Sequence, residues 1–179
     1  MDNSMKLKAL VAALIATSGL LSMSAAQASD GTVTFTGSIV ATSCVITGGG
    51  NIAVTLPPVD ASALSAAGKT ATPTQFNIAM TGCPATTTLH ALFEIGANVD
   101  TTTGNLKNTG TATNVEISLL NSALGAINIA TQANDGAGTG LTTTTAGAYT
   151  LSYYAQYIAT GAAGAGSVAS SVTYSLVYN

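Results

Sequence analysis

Beyond residue 28 the chain offers few side chains that could do chemistry: Cys44, Cys83, His90, two lysines and six carboxylates. His90 is the only histidine, so no set of imidazoles is available to hold zinc or iron. It has serines to act on as a base, but no G-x-S-x-G or other nucleophile signature accompanies it. His90 therefore reads as a strand or loop residue at the surface. Gly68, Lys69 and Thr70 match the end of a phosphate loop, yet the motif needs a glycine five positions before Gly68, where Ala63 stands. That run reads as a turn. Asp135, Gly136, Ala137 and Gly138 resemble part of a calcium loop without the further acidic ligands such a loop requires. Glu94 and Glu116 come nearest to a carboxylate pair, and each is expected on the solvated face of a strand. No catalytic, metal-binding or cofactor-binding set emerges, and an enzyme is not expected.

The two cysteines depend on the compartment. Lys6 and Lys8 precede an apolar run over residues 9–21, and Ala26, Gln27 and Ala28 form an A-x-A cleavage site. Residues 1–28 read as a signal peptide cut between Ala28 and Ser29. The run is short for a bilayer span of about 20 residues, so stable membrane insertion is not expected. In an oxidising compartment two cysteines default to a disulfide, and two thiolates alone make a poor metal site. Joining Cys44 to Cys83 closes a loop of roughly 40 residues and stabilises the fold by about 4 kcal/mol in the chain-entropy model.

Charge narrows the partners. From residue 29 onward Lys69 and Lys107 face six carboxylates, a net charge of −4, with no arginine or tryptophan anywhere in the chain. Such a surface cannot displace counterions from phosphates, which excludes nucleic acid, and it offers nothing to an anionic membrane. Solubility must rest on Thr, Ser, Asn and Gly, a surface suited to packing against copies of itself.

The elements that would carry these residues are short strands separated by turns. Residues 32–46 form a first run rich in Thr, Val and Ile, ended by Gly48, Gly49, Gly50 and Asn51. Ile52, Val54 and Leu56 alternate up to Pro57 and Pro58. Residues 60–68 suit one helical turn. Strands follow at 75–83, 88–95, 115–120, 127–130 and 149–157, with exposed loops at 100–113 and 134–147. Strands every 8 to 15 residues in a chain of this size indicate one all-β domain, an antiparallel sandwich.

Both ends of the exported chain alternate. Gly31, Val33, Phe35, Gly37 and Ile39 share one face, and so do Val168, Val172, Tyr174, Leu176 and Tyr178 in residues 167–179. Alternation alone leaves two arrangements open: a complete sandwich, or a sandwich whose first strand is given to another copy.

Three pieces of the chain together resemble the major pilins of the chaperone–usher pathway, the type 1 fimbrial family. The first is residues 31–40 followed by Cys44. The second runs through Val54, Leu56, Val59, Leu64, Gly68, Pro73, Phe76, Ile78 and Cys83. The third is the terminal strand, with Gly166 fourteenth from the end and Tyr178 next to last. The resemblance implies an incomplete immunoglobulin-like Greek-key sandwich that lacks its final strand. It implies a donor extension at 29–40, overlapping the first strand, and a pilin domain at 41–179. Gly31, Val33, Phe35 and Gly37 become the donor face. Gly166, Val168, Val172, Tyr174, Leu176 and Tyr178 become the accepting strand, and Cys44–Cys83 the family's disulfide. The implied partners are a periplasmic chaperone, an outer-membrane usher and neighbouring copies, with export through the periplasm to a surface fimbrium that serves adhesion and biofilm formation. The other readings are a minor or adaptor pilin of the same system and, from a different class, a secreted carbohydrate-binding β-sandwich.

Overall fold

The computed structural model describes residues 31–37, 43–133 and 140–178. The chain divides into two units, Met1–Ile39 and Val40–Asn179. The signal segment, the Ala28/Ser29 cleavage pair and the run from Asp135 to Gly138 lie outside the described residues. In the first unit, residues 31–37 carry no regular secondary structure and are exposed, Val33 at 76% and Phe35 at 90%.

Among its described residues the second unit contains eight strands: β1 (Val45–Ile46), β2 (Thr70–Cys83), β3 (Thr88–Phe93), β4 (Leu106–Lys107), β5 (Val115–Leu120), β6 (Leu141–Thr142), β7 (Gly147–Ala159) and β8 (Tyr174–Tyr178). They form an antiparallel five-stranded sheet in the order β1-β2-β7-β5-β4 and a three-stranded sheet in the order β6-β3-β8. Two short 3-10 turns, Thr47–Gly50 and Ala61–Leu64, are the only helical elements among the described residues.

Alternation sets the long strands. Leu151, Tyr153, Ala155 and Tyr157 of β7 are buried, while the residues between them are half-exposed. Phe76, Ile78 and Met80 of β2 stand opposite Tyr153, Leu151 and Tyr149, so one buried face runs across both strands. The register slips between Ala71 and Thr74, where Pro73 has no N–H for the ladder and Thr72 takes a φ of 49°. Phe93 of the smaller sheet meets Tyr153 edge-on at 5.2 Å between ring centroids, and Phe76 stacks on Tyr153 at 5.9 Å. Cys44 and Cys83 form a disulfide that ties the chain before β1 to the end of β2.

Several elements differ from expectation. Of the first run only Val45–Ile46 is paired, and residues 38–42 lie outside the described residues. The strand expected at 127–130 is a turn. Ile127 and Ile129 are buried, but Asn128 Oδ1 accepts the N–H of Thr131 and bends the chain back. The loop expected at 100–113 contains β4, whose Leu106 is buried against β5. The terminal strand is shorter than 167–179. Its first half makes hydrogen bonds with the loop after β4, with Thr109 N–H donating to Ala169 O and Ala112 N–H to Ser167 O.

Candidate functional site

β8 is an edge strand, paired only with β3 among the described residues. The N–H of Glu94 donates to the carbonyl of Thr173 at 2.9 Å, and Phe93, Ala91 and Leu89 stand opposite Tyr174, Leu176 and Tyr178. Bonded and non-bonded pairs alternate in an antiparallel ladder. Thr173, Ser175 and Val177 therefore direct their backbone groups to β3. The N–H and C=O of Tyr174, Leu176 and Tyr178 face the open edge.

Across from that edge runs a second unpaired stretch. Residues 51–59, which include the alternating Ile52, Val54 and Leu56, belong to no strand and make no ladder contact among the described residues. Ile52 and Val54 are 37% and 36% exposed, high for side chains of that kind. Two backbones with unused donors and acceptors thus flank one gap.

The gap is deep. A cavity of about 700 Å³ opens between the wall from Ile46 to Leu56 and the segment Ser170 to Tyr174. Its floor is the core itself, with Phe76, Phe93, Ile117, Leu119 and Ala155 contributed by four strands of both sheets. No charged side chain lines it. An occupant must be extended to satisfy both edges, apolar on one face and uncharged.

Two tyrosine hydroxyls reach from β8 to the chain that leads into the opposite wall. Tyr178 accepts the N–H of Cys44 at 3.0 Å, and Tyr174 donates to the carbonyl of Gly50 at 2.9 Å. Burial pushes the Tyr174 phenol above its ordinary value. Gly50 is presented by a turn in which Gly48, Gly49 and Gly50 have φ of 70°, 73° and 80°, a left-handed run open to glycine alone without strain.

The residues expected to form the accepting strand separate into three groups. Tyr174, Leu176 and Tyr178 lie on β8 with their side chains packed on the main core, as does Val172, and of these Val172 and Tyr174 line the cavity. Val168 instead packs on a separate cluster of Leu64, Val115, Tyr157 and Ala159. Gly166 lies so close to the loop after β4 that a Cβ on it would stand 2.4 Å from Ala112 N. The expected donor residues Gly31, Val33, Phe35 and Gly37 sit in the other unit, and a Cβ added at Gly31 or Gly37 would meet nothing within 4 Å. The opposite wall and the tyrosine bridges were not foreseen. The alternation of Ile52, Val54 and Leu56 was the signal for the wall; nothing local marks the bridges.

The other polar candidates hold the fold. His90 is not at the surface but buried in β3 at 3% exposure. Glu116 is not solvated either: it is 7% exposed and accepts hydrogen bonds from Thr103 Oγ1 (2.9 Å) and Asn105 Nδ2 (3.1 Å). The exposed Glu94 accepts from Ser175 Oγ (2.5 Å) and Thr173 Oγ1 (2.9 Å) on β8 and the segment leading into it. Those hydroxyls hold its carboxyl below the usual range. Gly68 is in a turn at φ 82°, and Lys69 N–H donates to Ala66 O. Among the described residues no three His, Cys, Asp or Glu side chains come together as a metal site, and no helix is long and apolar enough to cross a membrane.

Comparison with known proteins gives a consistent result. The model of the type-1 fimbrial protein A family matches residues 56–179. The F17 fimbrial protein of Escherichia coli is 43% identical over 166 residues, covering 88% of this chain and 92% of its own. The major fimbrial subunit SMF-1 of Stenotrophomonas maltophilia (strain K279a) is 41% identical over 168 residues, covering 87% and 96%. Among solved structures, a chain of a chaperone–usher pilus superposes with a TM-score of 0.56 at 19% identity, over 84% of this chain and 96% of its own. That likeness assigns the two sheets to the immunoglobulin-like pilin fold.

Proposed function

The chain belongs to the type-1 fimbrial protein A family and is a structural subunit of a fimbrium, not an enzyme, and from that premise we propose that it polymerises by giving residues 29–40 to the groove beside β8 of the next copy. The observation that carries this reading is the gap itself, an uncharged cavity floored by the core and flanked by the open edge of β8 and the unpaired residues 51–59.

The donor fits the requirements of the gap. The only charged side chain of residues 29–40 is Asp30, ahead of the alternating stretch, and from Gly31 on Val33 and Phe35 alternate with Thr32, Thr34 and Thr36. Burying each of the two apolar side chains contributes about 1.5–3 kcal/mol. The outward N–H and C=O groups of Tyr174, Leu176 and Tyr178 gain partners at the same step, so apolar burial and edge pairing favour the same product. Glycine at 31 and 37 keeps the donor face narrow at both ends.

An unfilled groove is an aggregation hazard, because it exposes core and edge together. In our reading a periplasmic chaperone fills the groove of the exported chain. An outer-membrane usher then exchanges that strand for the extension of the next copy, leaving the pilin domain at 41–179 as the repeating body. The fibre carries its adhesion and biofilm role at the cell surface.

Removing residues 29–39 tests the reading. The shortened chain should retain its chaperone complex and fail to fill a neighbour's groove. Surface-sheared wild-type protein, run on a denaturing gel without boiling, should give a ladder that collapses to monomer on heating. Normal polymerisation of the shortened chain, or monomer at every temperature, would rule out strand donation by this segment.

A further inference from the structure

We propose that the hydroxyls of Tyr174 and Tyr178 form a latch that holds the Cys44–Gly50 chain toward β8 while the groove is empty, and that strand uptake is limited by its release. The inference rests on the strand-accepting reading of the groove and concerns how that site is regulated.

The Tyr174–Gly50 bridge lies at the gap a strand has to enter, both residues lining the cavity, and the Tyr178–Cys44 bridge ties the same chain to β8 beyond the cavity lining. Tyr178 Oη accepts from Cys44 N–H, and Tyr174 Oη donates to Gly50 O, so the two contacts have opposite polarity and engage the chain at two points six residues apart. Edges separated by one missing strand lie roughly 9–10 Å apart, twice the usual strand spacing. A tyrosine side chain extended through its hydrogen bond covers a distance of that order. The Tyr174 ring and an incoming strand therefore compete for one space.

The rest of the local structure suits a latch more than a fixed strut. Between its two tied points the chain makes the two-residue pairing of β1 with β2, a hydrogen bond from Thr47 Oγ1 to Ala79 O at 3.0 Å, and the glycine turn. Beyond Gly50 it has no ladder partner among the described residues until β2 begins. Neither the short pairing nor the glycine turn demands that the wall stand at one fixed distance from β8. The Cys44–Cys83 disulfide ties the start of this chain to β2 and the hydroxyls tie it to β8, and one hydrogen bond each is weak enough to be given up for a strand's worth of pairing. Gly50 itself has room for the contact: a Cβ there would stand 3.6 Å from Tyr174 Oη, and the backbone φ of 80° keeps its carbonyl turned to the ring.

Tyr→Phe substitutions remove the bridges and keep the rings. The full chain, with its disulfide intact, is mixed with a fluorescent peptide of residues 29–43, and uptake is followed by stopped flow for wild type, Tyr174→Phe, Tyr178→Phe and the double variant. Far-UV circular dichroism checks that each variant folds, and amide exchange at Cys44 reports the Tyr178 bridge without peptide. The expected result is uptake about three- to tenfold faster in each single variant, the scale of one net hydrogen bond, and faster still in the double. Exchange at Cys44 should rise in Tyr178→Phe. If wild type takes up peptide and the variants do so at the same rate or more slowly, or if Cys44 exchange does not change, the latch is wrong while strand acceptance stands. If no form takes up the peptide, the strand-accepting reading fails and the latch falls with it.

Discussion

The hydroxyl of Tyr153 in β7 accepts the backbone N–H of Ala91 in β3 at 2.8 Å, inside the core and across the two sheets. Ala91 stands opposite Leu176 in a non-bonded pair, so its N–H points away from β8. On that side, among the described residues, β6 pairs with Thr88 and Leu89, and none pairs with Ala91. Tyr153 supplies the acceptor for that N–H. The smaller sheet is thus completed from the larger one on the side opposite the groove.

Tyr153→Phe should then cost more than a surface hydrogen bond. It leaves a buried N–H unpaired, at about 1–3 kcal/mol, and keeps the ring against Phe76 and Phe93. Urea unfolding of wild type and variant measures the difference. A loss below the lower figure would mean that water or a shifted β6 reaches Ala91.

Gly166 and Gly37 should respond in opposite ways to alanine. At Gly166 a Cβ would meet Ala112 N at 2.4 Å and Thr111 C at 2.7 Å, both backbone atoms with no rotamer to change. Gly166→Ala is expected to destabilise the fold by roughly 1–3 kcal/mol, the scale of overpacking. At Gly37 nothing lies within 4 Å, and Gly37→Ala should leave unfolding unchanged. The pair of denaturation curves separates a glycine required by close backbone approach from one that the monomer does not need.

Gly166 also marks how far the sequence could be read. The long strands were legible because Tyr149 to Tyr157 and Phe76 to Met80 each repeat at period two over several turns of the pleat. Residues 167–173 continue a similar pattern, yet side chains of the loop after β4 take their backbone groups. Asn108 Oδ1 accepts Ala169 N–H at 2.9 Å, and Thr111 Oγ1 accepts Ser167 N–H at 2.9 Å. A polar loop arriving from sixty residues away leaves no trace in the local alternation.

The groove shows the same division. Ile52, Val54 and Leu56 announce an extended stretch, but whether such a stretch has a neighbour is decided by topology. Glu116 illustrates the reverse error. A carboxylate alternating with Ile117 reads as solvated, and it is buried because Thr103 and Asn105 close over it with two hydrogen bonds. The resemblance of three separated pieces carried the family, and periodicity carried the strands. The bridges from Tyr174 and Tyr178 needed the structure.

Acid should loosen the attachment of β8 through Glu94. Hydrogen bonds from Ser175 and then Thr173 lower its carboxyl in the folded chain, so the folded state binds that proton less readily than the unfolded one. The contribution is complete above the ordinary glutamate value, about pH 4.3, and is lost as pH falls through the lowered value. Asp100 titrates in the same direction, held low chiefly by the N–H of Thr102. Glu94→Gln should therefore flatten, without abolishing, the fall in melting temperature between about pH 5 and pH 3, and Asp100→Asn should remove a further part. Glu94 is exposed and Asp100 partly so, and the effects are therefore modest and weaken in salt. An unchanged acid slope in the double variant would show that these hydrogen bonds do not contribute to stability.

The disulfide gives the last test, because it joins the start of one groove wall to the core. Its sequence separation of 39 implies about 4 kcal/mol from the restricted unfolded chain. Cys44 also gives its N–H to Tyr178, so its position is fixed from two sides. Replacing both cysteines by serine should lower stability by roughly that figure in urea unfolding. Tyr178→Phe should then cost less in the serine variant than in wild type, since a released Cys44 position no longer holds its N–H against the hydroxyl. A double-mutant cycle reads that coupling directly. Additive losses would show that Tyr178 keeps its partner without the disulfide, and that the wall is placed by β1 alone.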